Sequence, residues 1–172
     1  KICELNAKRK NYENAVLADI YEKIKENPVV LDKRVLVFSG VDWHHGVVGI
    51  VAARCMEKFG RPVFLMSRNR GDTEVRGSAR SFGSFSIFKA LSFAADTLTK
   101  FGGHSGAGGF SLTEENIPLF DEKLQEFAHS LACDGISFSP AVTVCGAVTP
   151  VELTTENIEG LNVLEPFGEA NP

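Results

Sequence analysis

Arg34-Val35-Leu36-Val37-Phe38-Ser39, then Gly46 to Phe59, then Pro62-Val63-Phe64-Leu65-Met66-Ser67: this succession decides the fold. The outer two pieces are short apolar runs, the pattern of strands buried on both faces. Between them Val47, Val48, Ile50, Val51 and Met56 alternate with small residues over a helical length, and Gly60 closes the segment. Gly46 and Gly49 near the start of that helix predict close packing, or the close approach of another group to the helix N-terminus.

Working outward, Asn6 to Asn27 reads as a charged helix. Tyr12, Val16, Ile20 and Ile24 recur every four residues, Leu17 and Tyr21 widen the stripe, and Pro28 follows its end. A polar turn through Asn69-Arg70-Gly71-Asp72 predicts a hairpin into a third strand near Thr73–Arg80. Ser86 to Leu98 reads as helix, with Ile87, Leu91 and Leu98 apolar. A glycine-rich loop is expected over Phe101–Phe110, and Glu114 to Leu131 forms an amphipathic helix on Ile117, Phe120, Leu124 and Phe127. Pro140 opens a short strand, Ala141–Val148, and Leu153 to Leu164 is helical before the turn-rich Pro166–Pro172. Strands alternate with helices, so the expected class is α/β: a mixed β-sheet flanked by helices and preceded by a long helix.

The 172 residues are 44% hydrophobic, enough for one or two domains with a real core. The net charge of −4 argues against a generic nucleic-acid binder, but its distribution does not. Arg54 to His104 holds nine Lys/Arg against four Asp/Glu, whereas from Ser105 onward Lys123 alone faces eleven acids. The basic excess therefore marks a local anion site, or simply a solvated face. Four cysteines (Cys3, Cys55, Cys133, Cys145) lack CxxC spacing, so reduced thiols in a cytoplasmic protein are expected. No run is long and apolar enough for a membrane span, and no signal peptide is visible. The chain begins at Lys1 and reads as a piece of a longer protein.

Two clusters carry candidate chemistry. Phe101-Gly102-Gly103-His104-Ser105-Gly106-Ala107-Gly108-Gly109-Phe110 bares the backbone around one histidine. Bare N–H groups in such turns hold anions, and His104 could add a hydrogen bond or a charge. The alternative is a tight connection in which His104 only caps. Upstream, Gly77-Ser78-Ala79-Arg80-Ser81 offers two hydroxyls and a guanidinium, a donor set suited to phosphate. Asp42-Trp43-His44-His45-Gly46 opens the helix after the first strand, where anions gather. His44 or His45 could touch phosphate there, and Trp43 could stack on a base or sit in the core. Metal chemistry is poorly supplied, because no HxH, HExxH or DxD spacing occurs. Neither Ser78 nor Ser105 has the GxSxG context of a nucleophile.

Taken in order, these motifs resemble one family. Trp43-His44-His45-Gly46-Val47-Val48-Gly49-Ile50-Val51-Ala52 resembles the WHxGVxGIVA signature of the RecJ family of single-strand-specific DNA exonucleases. Gly77-Ser78-Ala79-Arg80-Ser81 resembles its GSxRS motif, and Gly102-Gly103-His104 with Ala107 and Gly109 its GGHxxAxG motif. Pro166-Phe167-Gly168 with Asn171-Pro172 is similar to the PFGxxNP segment, and Leu5-Asn6 with Arg9 to the start of the family's connecting helix. The glycine-rich motif alone is shared with nano-RNases, cyclic-dinucleotide phosphodiesterases and the C-terminal region of alanyl-tRNA synthetase. Gly106 and Gly108 leave this chain's version barer than the family's alanine-rich one.

The resemblance implies a two-domain catalytic core facing a cleft. A DHH domain binds Mn²⁺ or Mg²⁺ and hydrolyses phosphodiesters, and a DHH-associated domain holds the strand. This chain matches the second domain and lacks the first, so no metal is expected in it. The implied division is an interdomain connecting helix over 1–30, the DHH-associated domain over 31–135, and over 136–172 a segment leading into an OB-type domain. Ser78, Arg80 and Ser81 would grip phosphate. Gly102, Gly103 and His104 would approach the scissile phosphate, His104 in a supporting catalytic role, and His44 would assist. The implied function is the substrate-binding half of a 5′→3′ single-stranded-DNA exonuclease of DNA repair and recombination. Its partners would be single-stranded DNA and the missing DHH and OB-type domains, without a membrane. An oligonucleotide or cyclic-dinucleotide phosphodiesterase and a non-catalytic nucleic-acid-binding module are the alternatives.

Overall fold

The computed structural model describes residues 2–133 and 146–166. They fall into two compact units, Lys1–Pro140 and Ala141–Pro172. In the first, α1 (Ile2–Glu26) precedes β1 (Leu36–Val41), α2 (His45–Phe59) and β2 (Val63–Arg68). There follow β3 (Glu74–Arg80), α3 (Ile87–Phe93), β4 (Leu98–Gly103), β5 (Ala107–Thr113) and α4 (Ile117–Cys133). The five strands form one mixed sheet in the order β1-β2-β3-β5-β4. Only β1 and β2 run parallel, joined by the α2 crossover as the opening stretch predicts; the remaining pairs are antiparallel. Gly60 ends α2 in the left-handed conformation (φ 61°), its N–H bonded to Met56 O at 2.9 Å.

Strand alternation divides the core between the two faces of this sheet. On one face Phe64, Met66, Val75, Ala79, Phe110 and Leu112 pack against α3 and α4 through Ile87, Leu91, Phe120 and Leu124. On the other, Leu36, Phe38, Val63 and Leu65 meet Val47, Val48, Val51 and Ala52 of α2. Helix α1 joins this second layer through Val16 and Ile20, each worth roughly 1.5–3 kcal/mol of apolar burial. Cys55 is also buried there. Burial pushes its thiol up to about 11, an effect that the nearby Lys58 only partly offsets.

Two expectations need correction. The helix expected over Ser86–Leu98 is only α3, capped by the Ser86 hydroxyl on Lys89 N–H. A 3₁₀ turn over Ala95–Thr97 ends it, with Thr97 Oγ1 donating to Ala94 O at 2.7 Å, and Leu98 starts β4. The expected glycine-rich loop is a β-hairpin, β4 and β5 around the turn His104–Gly106. Its glycines are required by what lies across from them. A Cβ on Gly108 would stand 2.7 Å from Ile87 Cγ2, and one on Gly77, the partner of Phe110 in β3, would enter that ring at 2.2 Å. The outer strand β4 carries an irregularity between Leu98 and Lys100.

The other boundaries shift by a few residues. The N-terminal helix begins at Ile2, and Glu114–Asn116 is a 3₁₀ turn leading into α4. In the second unit α5 (Thr155–Gly160) and a 3₁₀ turn, Leu161–Leu164, occupy the expected C-terminal helix. Of the strand expected over Ala141–Val148, residues 141–145 lie outside the described residues and the rest have no regular structure. Residues 167–172 of the PFGxxNP segment also lie outside them.

A buried charge joins α1 to α2. Glu13 is fully buried, with its carboxylate oxygens 3.0 Å from Arg9 Nη1 and 2.9 Å from Arg54 Nη2. Neither contact is aligned as a hydrogen bond, so the two half-exposed guanidinium charges are what compensate the carboxylate. Removing one cation should therefore cost more than removing the carboxylate. Arg54→Ala is expected to lower stability by roughly 3 kcal/mol, and Glu13→Leu, which leaves two solvated arginines, by distinctly less. Urea unfolding of both variants checks the order.

Candidate nucleic-acid interface

Beyond the edge of α2, the face of the sheet formed by β3, β5 and β4 is built from small and basic residues. Register sets these in rows. Arg76 of β3 pairs with Ser111 of β5, which pairs with Lys100 of β4. The next row is Ser78, Gly109 and Gly102, and the third begins with Arg80 and Ala107. His104 follows at the turn, its N–H bonded to Ala107 O at 2.8 Å. Cations thus stand at both ends of a glycine and serine floor.

Arg80 is the most constrained of them. Its Nη1 donates to Ala79 O at 2.7 Å, and the half-buried guanidinium has no carboxylate partner among the described residues. Arg68, Arg70 and Arg76 differ, being paired with Glu114, Asp42 and Glu74. A half-buried charge without a counter-ion favours the arrival of an anion. Gly49 of α2 makes room for it: a Cβ there would stand 2.7 Å from Arg80 Nη2 and 3.4 Å from Ser78 Oγ. The close approach expected near the start of α2 is therefore that of Arg80.

The α2 N-terminus borders the same face, and a shallow depression between it and β3 is lined by His45, Val48, Arg76, Gly77 and Ser78. The helix dipole favours anions at this end. His44 is the N-cap, its Nδ1 accepting from Gly46 N–H at 3.1 Å. That bond leaves Nε2 to carry the proton of the neutral ring, which stacks on Tyr12 with centroids 4.8 Å apart.

The structure brings Ser78, Arg80, Gly102, Gly103 and His104 to one end of the sheet, with His44 on the neighbouring helix. Gly102 is open: nothing lies within 4 Å of where its Cβ would be. Gly103 needs its φ of 149°, since a Cβ would stand 2.4 Å from Ala107 O. The His104 imidazole makes no hydrogen bond among the described residues and is exposed.

Ser81 and Trp43 have other tasks. Ser81 is 8% exposed, and its hydroxyl lies 2.6 Å from Phe85 O and 3.1 Å from Ser105 O. Its single proton is engaged by carbonyls, leaving none to donate to a phosphate. Ser81 instead ties the end of β3 to the hairpin turn, helped by its N–H on Gly106 O. Trp43 is buried over Gly40, with Nε1 on Asp19 Oδ2 at 2.9 Å, so it stacks on no base. Conversely Arg76 and Lys100 join the face although the motif reading did not select them, and His45, the alternative to His44, borders it. Period-two alternation was the available signal, since it sets Arg76, Ser78 and Arg80 on one face and Ser81 on the other.

Among the described residues no group of three or more His, Cys, Asp or Glu could hold a metal ion. Nor is any described helix long and apolar enough to cross a membrane.

Residues 32–130 match the DHHA1 domain. The chain is 33% identical to the single-stranded-DNA-specific exonuclease RecJ of Bacillus subtilis, over its whole length and 22% of that protein's. It is 32% identical to RecJ of Escherichia coli, covering 98% of the chain and 30% of the relative. The crystal structure of RecJ with Mn²⁺ from Thermus thermophilus superposes over 98% of the chain and 24% of its own, with a TM-score of 0.79 at 31% identity. The chain therefore spans under a third of the length of these relatives.

The bonds of Ser81 predict a stability effect. Ser81→Ala should cost about 1–2 kcal/mol, because the Phe85 and Ser105 carbonyls lose a buried donor. Urea denaturation checks it, and an effect within error would overturn the tie assigned to this hydroxyl.

Proposed function

The chain belongs to the DHHA1 domain family, and on that basis we propose that it is the strand-holding part of a RecJ-type 5′→3′ single-stranded-DNA exonuclease. The observation that carries this reading is Arg80, a half-buried guanidinium without a carboxylate beside the Ser78 hydroxyl and the bare α2 approach. In this reading Ala79 O fixes the guanidinium, and its remaining N–H groups meet the 5′-terminal phosphate together with Ser78. Gly102 and Gly103 let the strand come close to the backbone, and His104 adds a hydrogen bond near the scissile phosphate, where charge grows in the transition state. His44, held by Gly46 N–H and Tyr12, faces the same anion from the helix end. Ser81 acts at one remove, by fixing the turn that carries His104.

The described residues do not fit a metal. In this reading Mn²⁺ or Mg²⁺ belongs to a DHH domain outside this chain, an OB-type domain extends the grip, and the whole enzyme works in cytoplasmic DNA repair and recombination. Phosphate contacts position without reading bases, so little sequence preference is expected.

Fluorescence-anisotropy titration with 5′-phosphorylated and 5′-hydroxyl single strands tests the reading. The phosphorylated strand should bind more tightly, and Arg80→Ala should remove the difference, a loss of about 1.5–3 kcal/mol or roughly tenfold and more. Equal binding of both strands would overturn it, as would Mn²⁺-dependent cleavage by the chain alone. Preference for a dinucleotide over longer strands would favour the oligonucleotide phosphodiesterase. Gly49→Ala separates site from fold. The helix gains roughly 0.5–1 kcal/mol of propensity while the new methyl displaces Arg80, so unfolding stability should not fall although affinity does.

A further inference from the structure

The row farthest from Arg80 has features of a site in its own right. A depression of about 310 Å³ is lined by Arg76, Gly77, Lys100, Phe101, Gly109 and Ser111. Arg76 and Lys100 flank Ser111 across three adjacent strands, so two cations and a hydroxyl border one small basin. Lys100 has no acidic partner among the described residues. Arg76 is held by Glu74 at 2.8 and 3.0 Å, but both side chains are well exposed. Such a surface pair contributes little and yields readily to a phosphate. Phe101 contributes backbone to the basin, while its ring, on the face it shares with its partner Phe110, turns towards α3 and lies 6.2 Å from that of Phe88.

We propose, resting on the function proposed above, that this basin is a second subsite, which takes an interior nucleotide of the same single strand. Its phosphodiester lies between Arg76 and Lys100, with Ser111 donating from the floor. Charge complementarity selects a polyanion. Continuity with the Arg80 end selects the same strand rather than a second ligand. Arg80 lies four positions along β3 from Arg76, roughly 13 Å at about 3.3 Å per residue. Two phosphates one sugar apart do not reach that far, so a dinucleotide held at Arg80 leaves the basin empty while a longer strand fills it. The basin thereby makes affinity depend on strand length.

The test uses the full 172-residue chain with two probes, a 5′-phosphorylated thymidine dinucleotide and a 5′-phosphorylated thymidine dodecanucleotide, titrated across a salt series. The double variant Arg76→Ala/Lys100→Ala should weaken the long strand at least several-fold more than the dinucleotide and reduce the long strand's log–log salt slope by about 0.7, one phosphate's worth. The charge-conserving Arg76→Lys/Lys100→Arg should restore the slope. An unaltered slope and length dependence in the alanine variant, with binding still lost in Arg80→Ala, would overturn the basin and leave the Arg80 reading standing. Failure of the unaltered chain to bind either probe at low salt would overturn both. Both altered side chains are exposed, and circular dichroism confirms that the fold is retained.

Discussion

The missing Cβ of Gly49 fixes how α2 meets β3, and the arrangement of the basic face follows from that contact. With hydrogen in place of a side chain, the helix leaves a slot that the Arg80 guanidinium enters, next to Ser78. Any larger residue would send the guanidinium elsewhere. The same logic recurs on the opposite face of the sheet at Gly77 and Gly108, where absent side chains admit Phe110 and α3. Glycine here is an instruction about thickness. It draws layers together where the chain needs its backbone and cations within reach of a common ligand.

The two-sided core makes that closeness sustainable. Phe64, Met66, Phe110 and Leu112 bury one face under α3 and α4, while Leu36, Phe38 and Leu65 bury half of the other under α2. The half that α2 does not reach carries the basic rows. A face of glycine, serine and arginine contributes little apolar burial of its own, so the opposite face supplies the adhesion that holds these three strands flat. Structure and chemistry are thus divided between the two sides of the same strands. A family of proteins can vary one side without dismantling the other.

Strands β1 and β2 and helices α1, α2 and α4 were legible because their signals are local: apolar runs, four-residue stripes and closing glycine or proline residues. The hairpin was not, since Phe101–Phe110 has the composition of a loop and becomes strand only through partners such as Arg76 and Ser78, far off in sequence. Motif strings also flatten geometry. Reading Ser78, Arg80 and Ser81 as one donor set overlooked that neighbours in a strand point opposite ways, which commits Ser81 to carbonyls. Glu13 was equally hidden in a charged helix, because its burial is decided by Arg54 on another element.

Strand β4 has a neighbour on one side only among the described residues. A free edge of this kind is a template on which copies of a protein can stack into aggregates. Here the irregularity beside Lys100, the positive φ of Gly103 and the Lys100 charge all oppose a flat, regular pairing with another chain. The lysine proposed to meet a polyanion on this face therefore also works against pairing between identical molecules. Resistance to edge pairing and the proposed affinity for nucleic acid meet in one side chain, and selection on either would act on both.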